Sequence, residues 1–284
     1  MADTIQWYPG HMTKARRDMQ EDLKAVDLII ELVDARIPQS SRNPDLKSMG
    51  QGKARVLILC KADLADEAAT KQWMEYYIRE GYQVLTADVR SKAGLKDLKK
   101  ILDAATKEKR ERDKKRGMKE RPVHGMVVGI PNVGKSTFIN TLSGRTSAKT
   151  GNKPGVTRGK QWIHLGKQMD LLDTPGILWP KFDDMEIGRK LAAIGSVKNE
   201  VLNIEELSLY LIGFLKEHYA GVLTERYGID ENTDAPGILE AIAEHRKCLA
   251  KGGELSLEKA AAILLDEFRS GKLGRISMER PELG

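Results

Sequence analysis

The sequence predicts an α/β domain with a mostly parallel sheet, followed by a small all-helical C-terminal domain. Three observations carry this. Short, nearly continuous apolar runs recur through the first two thirds of the chain, separated by segments with helical spacing. That is the pattern of strands buried on both faces beneath crossover helices. One run leads through a glycine-rich turn at 129–136 into a helical segment. After about residue 200 the runs stop, and apolar residues recur at spacings of three and four.

Residues 26–33 read as the first strand, 55–60 as the second and 83–87 as the third, with helices expected over 68–80 and 95–107. Residues 123–129 and 168–173 continue the series. The stretch 161–165 is shorter and more polar, as an edge strand is. A helix is expected over 136–142, opened by the glycine-rich turn. Beyond it, 207–227, 235–249 and 257–269 read as helices, with Gly252-Gly253 and Gly271 as stops. The expected domains are therefore 1–199 and 200–284.

An apolar share of 40% is ordinary for a chain that buries a core. No run approaches the roughly 18 to 20 apolar residues needed to span a bilayer. The start Met1-Ala-Asp-Thr-Ile-Gln-Trp lacks the layout of a signal peptide. Two cysteines, Cys60 and Cys248, make neither a disulfide framework nor a four-cysteine zinc site. These features suit a cytoplasmic protein without membrane contact. The net charge of +6 is unevenly spread: residues 1–199 carry 37 basic and 25 acidic side chains, and 200–284 carry 10 and 16. The basic stretch 107–121 holds nine cations against four acids, which suits either a solvated linker or a polyanionic partner.

Gly129-Ile-Pro-Asn-Val-Gly134-Lys135-Ser136 matches the phosphate-loop pattern in full and lies between a strand and a helix, the context it requires. Backbone N–H groups of such a loop wrap phosphates, with Asn132, Val133, Gly134, Lys135, Ser136 and Thr137 as the binding residues. Lys135 neutralises the β- and γ-phosphates in this reading, and the Ser136 hydroxyl ligates Mg²⁺. Asp173-Thr-Pro-Gly176 follows the last strand, 37 residues after Ser136. There a carboxylate holds Mg²⁺ and the Gly176 N–H meets the γ-phosphate. Thr157, within Pro154-Gly-Val-Thr157, stands where a first switch places a magnesium-binding hydroxyl.

A guanine-selecting element should contain Lys-x-Asp, and none follows Asp173. Instead Cys60-Lys61-Ala62-Asp63 ends the second strand, and Thr86-Ala87-Asp88 ends the third. Asp63 can accept from the guanine N1–H and exocyclic amine, which adenine does not offer together. The stem of Lys61 can lie along the base. The order is thus base, base, phosphate, first switch, second switch. Joining the old ends of a Ras-like domain and reopening it after the second switch produces that order without moving any loop. The basic stretch 107–121 falls where the joining linker must run. The predicted fold is therefore a circularly permuted Ras-like P-loop GTPase domain with a helical domain after it.

Trp7-Tyr-Pro-Gly-His-Met12, Asp34-Ala-Arg36-Ile-Pro38, 129–137 and Asp173-Thr-Pro-Gly-Ile-Leu-Trp-Pro180 resemble the ribosome biogenesis GTPase A family along nearly the whole chain. The resemblance implies GTP hydrolysis to GDP during late assembly of the large ribosomal subunit precursor, with rRNA and ribosomal proteins as partners. It also implies Mg²⁺ dependence, stimulation by K⁺ and by the particle, and a monomer off the ribosome. Cys60 departs from the family's usual asparagine and is a poorer hydrogen-bond partner.

Beside Gly176, Ile177 stands where Ras-like proteins place the glutamine that orients water. Asn132 matches the asparagine that helps ligate K⁺ in potassium-dependent relatives. The resemblance marks His11 as the proposed catalytic group, and an imidazole near neutral pH suits that task. An alternative from another class is a nucleotide-gated RNA-binding module. The acidic helical domain contacts RNA through a local basic face at Arg246, Lys247 and Lys251, or leaves RNA to the first domain.

Overall fold

The computed structural model describes residues 9–87, 97–118, 121–143, 161–165, 169–174, 176, 185–197 and 203–282. The chain divides into two compact units, Met1–Asp183 together with Glu279–Gly284, and Asp184–Met278. In the first unit the elements run α1 (Pro9–Ala25), β1 (Leu28–Asp34), α2 (Asp45–Met49), β2 (Ala54–Cys60), α3 (Glu67–Arg79) and β3 (Gln83–Ala87). They continue through α4 (Leu98–Lys115), β4 (Val123–Gly129), α5 (Lys135–Ser143), β5 (Gln161–Leu165) and β6 (Met169–Asp173).

The six strands form one sheet in the order β3-β2-β1-β4-β6-β5. Every pair is parallel except β5 with β6, so the polar stretch 161–165 is the edge strand expected of it and runs antiparallel to its neighbour. The phosphate-loop strand β4 sits centrally, flanked on one side by strands that precede it in the chain and on the other by strands that follow. That arrangement is the permuted P-loop GTPase fold. All seven residues of β1 are buried, because both sheet faces are covered. On one face Ile29, Met126, Val128 and Leu172 pack with Met19, Leu23 and Val26, while Val33, Leu57, Leu59 and Val84 pack with Trp73 and Tyr77 of α3. Alternate residues Leu28, Ile30, Leu32, Val56 and Ile58 are equally buried on the opposite face.

Two boundaries differ from the sequence reading for identifiable reasons. Helix α4 runs on to Lys115, past the expected end at 107. Its continuation has few apolar residues and therefore no hydrophobic period. It is held by the pairs Lys109–Asp113 at 2.7 Å and Lys109–Asp27 at 3.2 Å. Half of the basic stretch 107–121 is thus helix. The single helix expected over 207–227 is two, because Gly221 takes a φ of 92° between them.

The second unit contains α6 (Met185–Ala193), α7 (Ile204–His218), α8 (Val222–Tyr227), α9 (Ala235–His245) and α10 (Leu257–Ser270). Asn203, Asp234 and Ser256 each accept a backbone N–H from the first turn of the helix that follows. Gly271, at φ 79°, ends α10 as expected. Leu211, Leu215, Ile238, Ile242 and Leu264 are fully buried where α7, α9 and α10 meet. Among the described residues no helix is long and apolar enough to cross a membrane.

A buried carboxylate organises this unit. Glu267 accepts from Arg226 Nε and NH2 at 2.8 Å each, from Arg246 NH2 at 2.6 Å and from Tyr227 Oη at 2.9 Å. Arg246 is therefore spent internally and is not part of a free basic face, while Lys247 and Lys251 are exposed. The Arg226 hydrogen bonds, then those of its other partners, hold the Glu267 carboxyl down at about 2. A depressed acid stabilises the fold above its unfolded value near 4.5, and that contribution disappears as the pH falls toward 2. Glu267→Gln is accordingly expected to melt well below the parent at pH 7 and to converge with it near pH 2, as thermal unfolding across that range would reveal.

Candidate functional site

The parallel register decides which residues meet. Cys60 lies opposite Asp34 across β1 and β2, and opposite Ala87 across β2 and β3. Gly129 lies opposite Leu32, and Asp173 opposite Val127. The carboxyl ends of β2, β1, β4 and β6 therefore open at one end of the sheet, where ligands of such folds bind. The motifs scattered from residue 34 to residue 176 converge there.

The phosphate loop leaves β4 at Gly129, where a Cβ would stand 2.5 Å from the Leu32 carbonyl oxygen. Only glycine permits that approach. Asn132 and Gly134 adopt positive φ values of 61° and 113°, and asparagine is among the few side chains that tolerate this region. Val133 is buried, and Phe138 N–H closes the first turn of α5 on the Gly134 carbonyl at 2.8 Å. Lys135 opens α5 yet is only 6% exposed, and its Nζ donates to the Gly129 and Ile130 carbonyls at 2.9 Å each. Burial pulls this lysine down to about 8, against the opposing pull of Asp173 and Cys60. Ser136 and Thr137 follow it on the same first turn.

Asp173 ends β6 almost fully buried, and burial raises it to about 6, although Lys135 and the Thr174 N–H oppose the shift. Among the described residues its buried Oδ1 meets no hydrogen-bond partner. A buried carboxylate oxygen with nothing to bond is costly unless a cation or its water meets it. The donor set therefore fits Mg²⁺, with Ser136 supplying the hydroxyl. Thr174 anchors the segment by donating from Oγ1 to the Val127 carbonyl at 2.7 Å. Gly176 then lies against the phosphate loop: a Cβ on it would come within 2.8 Å of Pro131 Cα and 2.9 Å of Lys135 Nζ. Thr157 and Asp88 lie outside the described residues, as does the side chain of His11, whose backbone belongs to α1.

On the other side of β1, Cys60 is fully buried and Lys61 takes a positive φ of 57°. Leu64 N–H closes a turn on the Lys61 carbonyl at 3.0 Å, presenting Ala62 and the exposed Asp63 between β2 and α3. Burial and then Asp34 push the Cys60 thiol up, so it stands as a neutral, weakly bonding group. The Lys61 ammonium is not free beside a base: it donates to Asp34 Oδ2 at 2.9 Å. Asp34 also accepts from Nε and Nη2 of Arg36 at 2.8 Å each. Burial alone would raise Asp34, but the Arg36 and Lys61 charges outweigh it and hold the carboxyl far below the usual range.

Comparison with known proteins bears on this arrangement directly. Residues 124–228 match the family described as 50S ribosome-binding GTPase. The chain is 44% identical to ribosome biogenesis GTPase A of Bacillus cereus over 279 residues, covering 98% of this chain and 94% of the relative. The chain belongs to the ribosome biogenesis GTPase A family. It is 32% identical to the Thermotoga maritima member, covering 98% and 95% of the two chains. The crystal structure of GNP-bound YlqF from T. maritima superposes with a TM-score of 0.64 at 29% identity, covering 95% of this chain and 99% of that one. As a ribosome biogenesis GTPase A member, the chain binds guanine nucleotide and hydrolyses GTP.

In this family member the structure brings Cys60, Lys61, Asp34, Lys135, Asp173 and Gly176 to one end of the sheet. Asp34 and Arg36 had been noticed only as part of a motif and assigned no task. Lys61, the other partner of Asp34, is 27 residues away in sequence, and only the β1–β2 register shows why the three go together.

Proposed function

We propose that this GTPase is an assembly factor for the large ribosomal subunit precursor, binding its rRNA and proteins in the GTP state and leaving after hydrolysis. The observation that carries the hydrolytic part is the contact between Gly176 and the Pro131–Lys135 loop. A γ-phosphate seated on that loop also reaches the second switch, so its loss changes the switch. Relatives bearing the ribosome biogenesis name support the assembly part. The base pocket in this reading comprises Cys60, Lys61, Ala62, Asp63, Ala87 and Asp88. Asn132, Val133, Gly134, Lys135, Ser136, Thr137 and Gly176 hold the phosphates.

Lys135 neutralises phosphate charge, released from its loop carbonyls to do so. Ser136, Asp173 and Thr157 would hold Mg²⁺, which would supply charge neutralisation at the phosphate oxygens. Asn132 would help hold K⁺, which would supply positive charge where Ras-like enzymes use an arginine finger. Ile177 cannot position water, and His11 takes that task. Hydrolysis is slow until the particle swings His11 toward the γ-phosphate, which makes the particle the trigger. Exposed Lys107, Arg112, Lys114, Lys115 and Arg116 on and just after α4 have no ion-pair partner among the described residues and support rRNA as the partner. The factor works in the cytoplasm as a monomer when off the ribosome.

The test is GTP turnover in KCl against NaCl, with and without purified large subunits. The expected result is stimulation of about tenfold or more by each. Tight nucleotide binding with neither stimulation would replace this reading by a nucleotide-gated RNA-binding module.

A further inference from the structure

We propose that Glu279 is a positioning residue for guanine recognition, part of a C-terminal clasp that holds the base loop from behind. The inference rests on the reading of 60–63 as that loop. Glu279 follows the helical unit in sequence but belongs to the nucleotide-binding unit. Its carboxylate accepts the backbone N–H of Gln39 at 2.8 Å, the N–H of Ser40 at 3.1 Å and the Ser40 hydroxyl. Its carbonyl accepts from the Trp73 indole at 3.1 Å, and Arg280 pairs with Asp66 at 3.1 Å.

Both ends of this clasp touch the elements that frame the base loop. Asp66 caps α3 through Ala69 N–H at 2.8 Å, three residues after Asp63. Gln39 and Ser40 belong to the loop 34–41, which is closed on itself: Ser41 Oγ accepts from Asp34 N–H at 3.0 Å and donates to the Ile37 carbonyl at 2.7 Å. The Asp34 carboxylate in turn holds Lys61. A continuous bonded path therefore leads from Glu279 through one short loop to the lysine of the base loop. The loop has few apolar anchors of its own besides Ala35 and Ile37. Two backbone N–H groups aimed at one carboxylate are a charge-assisted substitute.

The phosphate loop leaves β4, across β1 from the base loop at the end of β2, so the clasp acts on base binding and not on the chemical step. In the full chain, Glu279→Ala is expected to raise KM for GTP about tenfold with kcat unchanged. Glu279→Gln, which keeps one oxygen to accept the Gln39 and Ser40 N–H groups and can donate its amide NH2 to the Ser40 hydroxyl oxygen, is expected to recover most of that loss. Asp63→Asn serves as the parallel variant. It should exchange preference for GTP for preference for xanthosine triphosphate, whose 2-oxo group accepts from the new amide.

That switch together with the KM effect and its rescue supports the clasp. A switch with Glu279→Ala at the parent KM overturns the clasp and spares the base loop. If Asp63→Asn leaves selectivity unchanged, both fall. A fall in kcat parallel to the rise in KM, with no recovery in Glu279→Gln, would mean general loosening and also overturns it.

Discussion

Gly176→Ala is expected to lower single-turnover GTP hydrolysis by about 100-fold while GDP affinity stays within about twofold of the parent. The added methyl would meet Pro131 Cα at 2.8 Å, Pro131 N at 2.9 Å and Lys135 Nζ at 2.9 Å. The lysine can swing aside, but the two Pro131 atoms are backbone of the phosphate loop and cannot. The second switch must therefore back away from the loop. A donor that stabilises developing charge works only within about 2.7 to 3.1 Å of its target, and losing one costs about two to three orders of magnitude. GDP lacks the phosphate that the Gly176 N–H addresses, which is why its affinity is spared. Parent-like hydrolysis in this variant would mean that Gly176 is a packing residue with no part in the reaction.

The other large effect concerns stability. Asp34→Ala is expected to lose about 3–5 kcal/mol, the cost of removing one member of a buried ion group. Asp34 is fully buried, and Arg36, at 1% exposed, is the largest fully buried side chain among the described residues. Without the carboxylate, the Arg36 guanidinium and the Lys61 ammonium both lose the buried charge that balances them. Either the loop 34–41 opens to water or the unit unfolds. Urea titration would register the loss, and a double variant Asp34→Ala, Arg36→Met should regain part of it, because it removes a stranded charge as well as its partner. If the single variant matched the parent's midpoint, the group would be neither buried nor coupled as described.

Much of the sheet was legible because burial on both faces turns each parallel strand into an apolar run, as Leu28–Asp34 and Ala54–Cys60 illustrate. The P-loop and its order relative to Lys61 and Asp63 were legible for a different reason: phosphate wrapping demands particular glycines at particular spacings. Helix α1 was not anticipated, since the packing it contributes rests on Met19, Leu23 and the following Val26, amid a run of charges. The far half of α4 has no apolar period to find. Asp34 and Glu279 were hidden more deeply. Each acts on a residue far away in sequence, through register in one case and a returning chain end in the other, and neither leaves a local pattern.

The closing contact of the clasp joins Gln39 to Glu279, 240 residues apart. Closing so long a loop costs chain entropy before any bond repays it, and such distant pairings form late and slowly. The intervening unit 184–278 is built from helices whose contacts with one another, such as α7 with α10, span far less of the chain than the clasp does. Once formed, it replaces a long floppy connection with a stiff one and lowers the entropic cost of closure. On the ribosome the segment 279–282 is made after the helical unit. The nucleotide-binding unit therefore receives its final support only after the helical unit has been synthesised, and a chain stalled or cut before that point would carry every nucleotide motif on an unfinished base loop.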